Sequence, residues 1–293
     1  MEDQNFINFK KTRDLGAMIS DTIKFLSVEW KPFLGTILKI SIIPIIIAIC
    51  AVIYFAMNST EFIADFSQFN EDSSFDELNF SQILIPLFIY IFSYIVAYAL
   101  MTVATLSYIK SYINNKGIVN FDEVQKTTKD KFWTYIGLFI LVVIIVGFGM
   151  LFCFLPGIYF AVVLSLSTCL VVFKNKGVLD SINDSFGFIK GHWWETFGIL
   201  LVIQILIGII GFFAGLPASI YQGADMATIL EGQDPTEMLN SFGDPIYLML
   251  IGISYLINFI LYLVSVVVIV FVYYDIKEQK NPTSEMINEI GVY

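Results

Sequence analysis

Basic side chains are missing from two whole stretches of this chain, residues 58–81 and 218–245, although the same stretches carry eleven carboxylates. Arginine and histidine occur once each, as Arg13 and His192. A single imidazole with no recognisable nucleophile motif beside it leaves little from which to build a nucleophile–base pair. Cys50, Cys153 and Cys169 form no CxxC pair, which argues against a disulfide framework and against a cysteine–histidine zinc site. Glycine-rich phosphate loops, HExxH and GxSxG are all absent. No lysine cluster is denser than Lys126, Lys129 and Lys131, so no basic face suits a nucleic acid. The expectation is a non-enzymatic chain with no catalytic residue, no metal, no cofactor and no nucleic-acid partner.

What the chain has in excess is apolar length. Hydrophobic residues make up 57% of it and charged residues 14%, against about 45–50% and about 25% in soluble domains. Uncharged stretches run over 32–57, 82–109, 132–154, 157–173, 196–217 and 246–274, interrupted only by Lys39, which can snorkel to the interface. A spanning helix needs about 20 such residues. Phe132 to Phe173 contains no Asp, Glu, Lys, Arg or His. At helical rise it is about 63 Å long, enough for two crossings, with Leu155-Pro156-Gly157 as the turn. The fold class is therefore all-α: a polytopic membrane protein, 1–293 forming one domain of six transmembrane helices, with 275–293 a tail. Every basic residue outside the spans falls in 1–31, 110–131, 174–195 or 275–293. By the positive-inside rule both termini are cytoplasmic.

An internal helical-hairpin repeat organises the chain. Trp133-Thr-Tyr-Ile-Gly137 leading to Leu155-Pro156 matches Trp194-Glu-Thr-Phe-Gly198 leading to Leu216-Pro217 at a constant offset of 61. Asp21 through Trp30 matches Asp184 through Trp193, and Gly35 then matches Gly198. In each copy an acid lies fourteen residues before the glycine (Asp21, Glu123, Asp184) and an aromatic five before it (Trp30, Phe132, Trp193). The units run approximately over 13–109, 119–173 and 177–274. Each begins with an amphipathic segment, such as Leu15, Ile19, Ile23, Leu26, Trp30 or Val178, Ile182, Phe186, Ile189, Trp193. These predict three cytoplasmic interfacial helices lying apolar face down on lipid, anchored by Trp30, Phe132, Trp133, Trp193 and Trp194. The repeat acids fit two roles, as polar-face or helix-start residues or as ion pairs with a lysine of a neighbouring copy.

The outer loops 58–81 and 218–245 combine carboxylates with large apolar side chains. Phe62, Phe66 and Phe69 share one helical face, joined by Phe75 and, in the second loop, by Met238 and Phe242. This is the expected surface for a protein partner; membrane lipid is the other expected partner. Within the spans the polar groups noted are Gln204, Asn258, Ser93, Ser165 and Ser167, with no carboxylate or ammonium at mid-depth to serve an ion pathway.

The segment Gly177-Val-Leu-Asp-Ser-Ile-Asn-Asp-Ser-Phe-Gly-Phe-Ile-Lys-Gly-His-Trp-Trp-Glu-Thr-Phe-Gly198, with Leu155-Pro-Gly-Ile-Tyr159 before it, resembles the YciC-like family of bacterial integral membrane proteins and the membrane domain attached to some glycerophosphoryl diester phosphodiesterases. The opening Phe9-Lys-Lys-Thr-Arg-Asp-Leu-Gly16 is similar to proteins of Bacteroidota. The resemblance covers about two thirds of the chain. It implies a six-helix bundle in the bacterial inner membrane and brings no catalytic residues, since no phosphodiesterase domain is present. The expected function is an accessory or scaffold subunit of an envelope complex, for example a translocase or secretion assembly. The alternative is a transporter or lipid-handling protein for an apolar or amphipathic solute, because carriers are often built from repeats.

Overall fold

The computed structural model describes residues 6–67, 79–230 and 244–281, and among them every regular element is helical. The helices are α1 (Leu15–Ser67), α2 (Ser81–Asn114), α3 (Phe121–Phe152), α4 (Phe154–Ser165), α5 (Ser167–Phe173), α6 (Val178–Ile189), α7 (Trp193–Leu230) and α8 (Pro245–Lys280). Among the described residues six helical segments are long and apolar enough to cross a membrane, α4 and α5 together counting as one. The protein is a polytopic α-helical membrane protein. In hydrocarbon every backbone polar group needs an internal partner, and an uninterrupted helix supplies it.

Helix starts follow local chemistry. Asp14 accepts the Ala17 N–H at 2.7 Å at the head of α1. Asn120 accepts the N–H groups of Asp122 and Glu123 at 2.9 and 3.4 Å at the head of α3. The turn after α3 falls earlier than Leu155-Pro156-Gly157: Cys153 is the extended residue (φ −167°, ψ 141°). Pro156 lies inside the first turn of α4, where a missing N–H removes no helical bond. Leu166 separates α4 from α5. Beside it the hydroxyls of Ser165, Ser167 and Thr168 donate back to the carbonyls of Val162, Leu164 and Ser165, a pattern that bends helices.

Three amphipathic segments are present, but only the third is a helix of its own. Residues 15–30 and 121–131 run without a break into the rest of α1 and α3, whereas Gly191, at φ +89°, turns the chain between α6 and α7. Neither of the other copies has a glycine at the junction. Their faces differ too. In α1, Met18, Thr22, Phe25 and Phe33 are buried, while Leu15, Ile23 and Trp30 are exposed, as lipid contact requires. In α6 the apolar stripe itself is packed inward, through Ile182 and Ile189 with Ser181 and Ser185. Helix α8 runs to Lys280, with Asp275 and Ile276 buried.

By contact the chain groups into two compact units. The described residues of the first are 6–40, 99–206 and 262–281. Its centre is aromatic. Phe9 stacks on Phe271 at 4.4 Å and meets Phe25 edge-on at 5.3 Å; Phe33 meets Tyr108 at 5.2 Å. The second unit comprises 41–98 and 207–261, of which 41–67, 79–98, 207–230 and 244–261 are described. Tyr94, Tyr98 and Phe259 cluster there, Tyr94 donates to Tyr98 at 2.7 Å, and the Tyr90 and Tyr255 hydroxyls lie 3.2 Å apart. Ser254 donates to the Ala214 carbonyl at 2.8 Å, and a side chain at Gly211 would meet Asn258, so α7 and α8 pack closely here.

Candidate functional site: an apolar cleft in the first unit

A half-open cleft of about 500 Å³ lies within the first unit, between α2, α3, α4, α5 and α8. Leu138, Val142, Val146, Leu164, Val266 and Ile269 supply most of its wall. Gly147 contributes bare backbone, with nothing within 4 Å of where a side chain would begin. One patch is polar. The hydroxyls of Thr102 and Tyr262 are 2.6 Å apart, and the buried Tyr135 hydrogen-bonds with both. Ser165 and Thr168 also line the cleft, but their hydroxyls are committed to helix carbonyls. Val143 and Phe139 continue the wall toward the surface, and Val143 is exposed. The cleft therefore has the volume and the mostly apolar lining of a ligand site, with a few convergent polar groups.

No local sequence pattern marks this trio. Tyr135 lies inside the repeated Trp133-Thr-Tyr-Ile-Gly137, yet Thr102, Tyr135 and Tyr262 come from three segments far apart in the chain. The available signal was the presence of hydroxyl-bearing residues in spans otherwise built of Val, Ile, Leu and Phe.

Asp21, Glu123 and Asp184 lie elsewhere in the same unit, and each takes a donor eight residues upstream in the chain. Arg13 Nε donates to Asp21 at 2.7 Å, Asn115 Nδ2 to Glu123 at 3.0 Å, and Lys176 pairs with Asp184. Glu123 also accepts from Ser111 at 2.7 Å. Asp184 holds the Lys176 ammonium above its ordinary lysine range. Burial repeats as well. Thr22, Val124 and Ser185, each one residue after its acid, are buried, as are Phe33, Tyr135 and Thr196, each twelve after. Arg13 is the most committed of these groups. Its guanidinium also donates to the carbonyls of Asn8, Phe9 and Lys11 and lies 4.8 Å over the Phe271 ring, while its N–H donates to Asp275 at 2.7 Å.

The aromatic anchors divide into two groups. Trp30, Trp133 and Trp194 are exposed. Phe132 and Trp193 are half-buried. Trp193 stacks between Tyr159, at 5.8 Å, and Phe197, at 5.3 Å. Lys39 reaches over the Phe121 ring at 5.7 Å. Of the expected outer partner surface, Phe62 packs against Phe80 at 5.7 Å. Phe66 belongs to α1, but its side chain lies outside the described residues, as do Phe69, Phe75, Met238 and Phe242 entirely. Among the described residues no three His, Cys, Asp or Glu side chains group as metal ligands. The chain matches no family model, no curated protein and no solved structure.

Proposed function

We propose that this protein is a non-enzymatic, lipid-handling component of a bacterial inner membrane, with both termini cytoplasmic. The cleft holds an acyl chain of an amphipathic lipid. The observation that carries this reading is the cleft itself. It is walled by aliphatic side chains from segments of spanning hydropathy, half-open, and supplied with one patch of hydroxyls. Within a bilayer the molecules that match such a wall are lipid chains, and removing them from bulk lipid costs little because wall and chain are equally apolar. The hydroxyl trio sets one end of the site apart as the place for an ester or headgroup oxygen. The repeat is part of the reading: all three units meet at the cleft, in keeping with carriers that bind between repeats. The YciC-like resemblance fits a membrane bundle and carries no activity to this chain.

The accessory-subunit reading rests on the outer loops, and most of that surface lies outside the described residues. The cleft favours lipid handling over it. The test is lipid retention: the protein, purified in mild detergent and washed by gel filtration, is extracted and its lipid quantified. A near-stoichiometric lipid of one class is expected. A lipid-free, folded protein would contradict the reading.

A further inference from the structure

The hairpin formed by α3, α4 and α5 is free of charge from Phe132 to Phe173, and its tip carries the most exposed large apolar side chains among the described residues. Leu151, Phe152, Phe154 and Leu155 are 82%, 86%, 68% and 72% exposed. No charged residue lies between Phe132 and Phe173. A loop emerging from a bilayer into water normally carries polar residues; this one has Phe-Cys-Phe-Leu-Pro. The two arms are locked together near the tip, where Gly149 and Gly157 approach so closely that an added methyl on either would touch the other strand of the hairpin.

Helix α6 lies beside this hairpin along most of its length. Val178, at the start of α6, sits against Gly137 low on α3. Phe186 meets Phe160 at 6.2 Å, and Trp193, just past the end of α6, stacks on Tyr159 at 5.8 Å, five residues after the first residue of α4. Leu155 at the tip shares a cavity with Trp193, Trp194 and Phe197, the first turn of α7. The tip therefore ends beside the beginning of α7.

Helix α6 carries ionisable groups at both ends. Lys176 and Asp180 lie at its start, Asp184 at its middle, and Lys190, His192 and Glu195 follow its end. Its twelve residues span about 18 Å. If the hairpin stood across a hydrocarbon core about 30 Å thick, α6 would stand with it, and the ionisable groups at one of its ends would sit deep in that core. Each charge there costs about 2.5–3.5 kcal/mol. Laying α6 near the membrane plane keeps both groups wet and tips the hairpin with it.

We propose that the α3–α4–α5 hairpin is not a pair of crossings but a wedge that enters and leaves the bilayer on the side of the termini, its Leu151–Leu155 tip seated among the acyl chains of that leaflet. Four helices, α1, α2, α7 and α8, then make the complete crossings, and the termini stay on one side. The placement stands whether or not the cleft holds a lipid.

Cys153 at the tip is a native reporter. The full chain carrying Cys50→Ala and Cys169→Ala is labelled at Cys153 with bimane and reconstituted. Lys129→Cys and Gly223→Cys, each in a background lacking the three native cysteines, fix the orientation by their reaction with an impermeant maleimide. Nitroxide phospholipid is then exchanged into one leaflet at a time. Loss of bimane fluorescence is expected with nitroxide in the leaflet on the termini side, and no change with nitroxide in the opposite leaflet. Quenching from the opposite leaflet, or quenching only by a water-soluble quencher, overturns the proposal. Phe154→Cys with Cys153→Ala, labelled in the same way, repeats the measurement should the label at Cys153 disturb the turn.

Discussion

At the scale of single residues, burial decides what otherwise equivalent contacts are worth. Arg13–Asp21 and Lys176–Asp184 share one sequence spacing, but the Arg13 side chain is 2% exposed and Lys176 and Asp184 are both over a third exposed. Removing one partner of a buried pair leaves the other uncompensated and costs about 3–5 kcal/mol, whereas exposed pairs contribute little. Arg13→Ala is accordingly expected to lower thermal stability strongly, because three carbonyls and Asp21 lose their donor together. Lys176→Ala should leave the melting temperature unchanged within error. Thermal unfolding followed by tryptophan fluorescence in detergent checks both; equal effects would contradict this ranking. The hydroxyl trio gives a third case. Tyr262→Phe takes one hydroxyl out of the trio and leaves the Tyr135–Thr102 hydrogen bond in place, an expected loss of about 0.5–1.5 kcal/mol that the same melt would register.

At the scale of elements, glycine positions separate turns from plain helix. Gly157 faces Met150, and a methyl there would come within 2.5 Å of the Met150 side chain and 2.9 Å of its backbone nitrogen. Gly157→Ala is expected to spread the hairpin and cost about 1–3 kcal/mol. Gly191 holds φ at +89°, so Gly191→Ala should cost about 1–2 kcal/mol. The repeat glycines Gly35 and Gly198 have nothing within 4 Å of an added methyl; replacing either with alanine should instead stabilise by up to about 1 kcal/mol, the helix-propensity difference. A melt in which Gly35→Ala destabilised as much as Gly157→Ala would overturn this account. Much at this scale was legible in sequence. Apolar length announces a helix in hydrocarbon, because the bilayer leaves the backbone no other choice. The α1 and α6 stripes were legible as periodic, but not which face met protein. A stripe of Leu, Ile and Trp suits lipid and protein equally, and only the neighbours, Tyr108 and Tyr112 for α1 or Phe160 and Tyr273 for α6, decide it.

At the scale of the whole molecule, one-sided charge set the topology expected from the sequence, while the site did not show there. The cleft is assembled from residues such as Thr102 and Tyr262, 160 positions apart, and no local pattern marks a pair that distant. The eight-residue step between donor and acid was in plain view, but only the bonded pairs single it out from chance. The central claim is that the cleft in the first unit holds a lipid chain. Gly147 offers the most direct test, since it lines the cleft and an added Cβ there meets nothing within 4 Å. Native mass spectrometry of the detergent-released protein would compare the unaltered chain with Gly147→Phe. The account predicts a bound lipid mass on the unaltered chain that falls several-fold in Gly147→Phe at unchanged melting temperature. Equal lipid occupancy in the two proteins would contradict it.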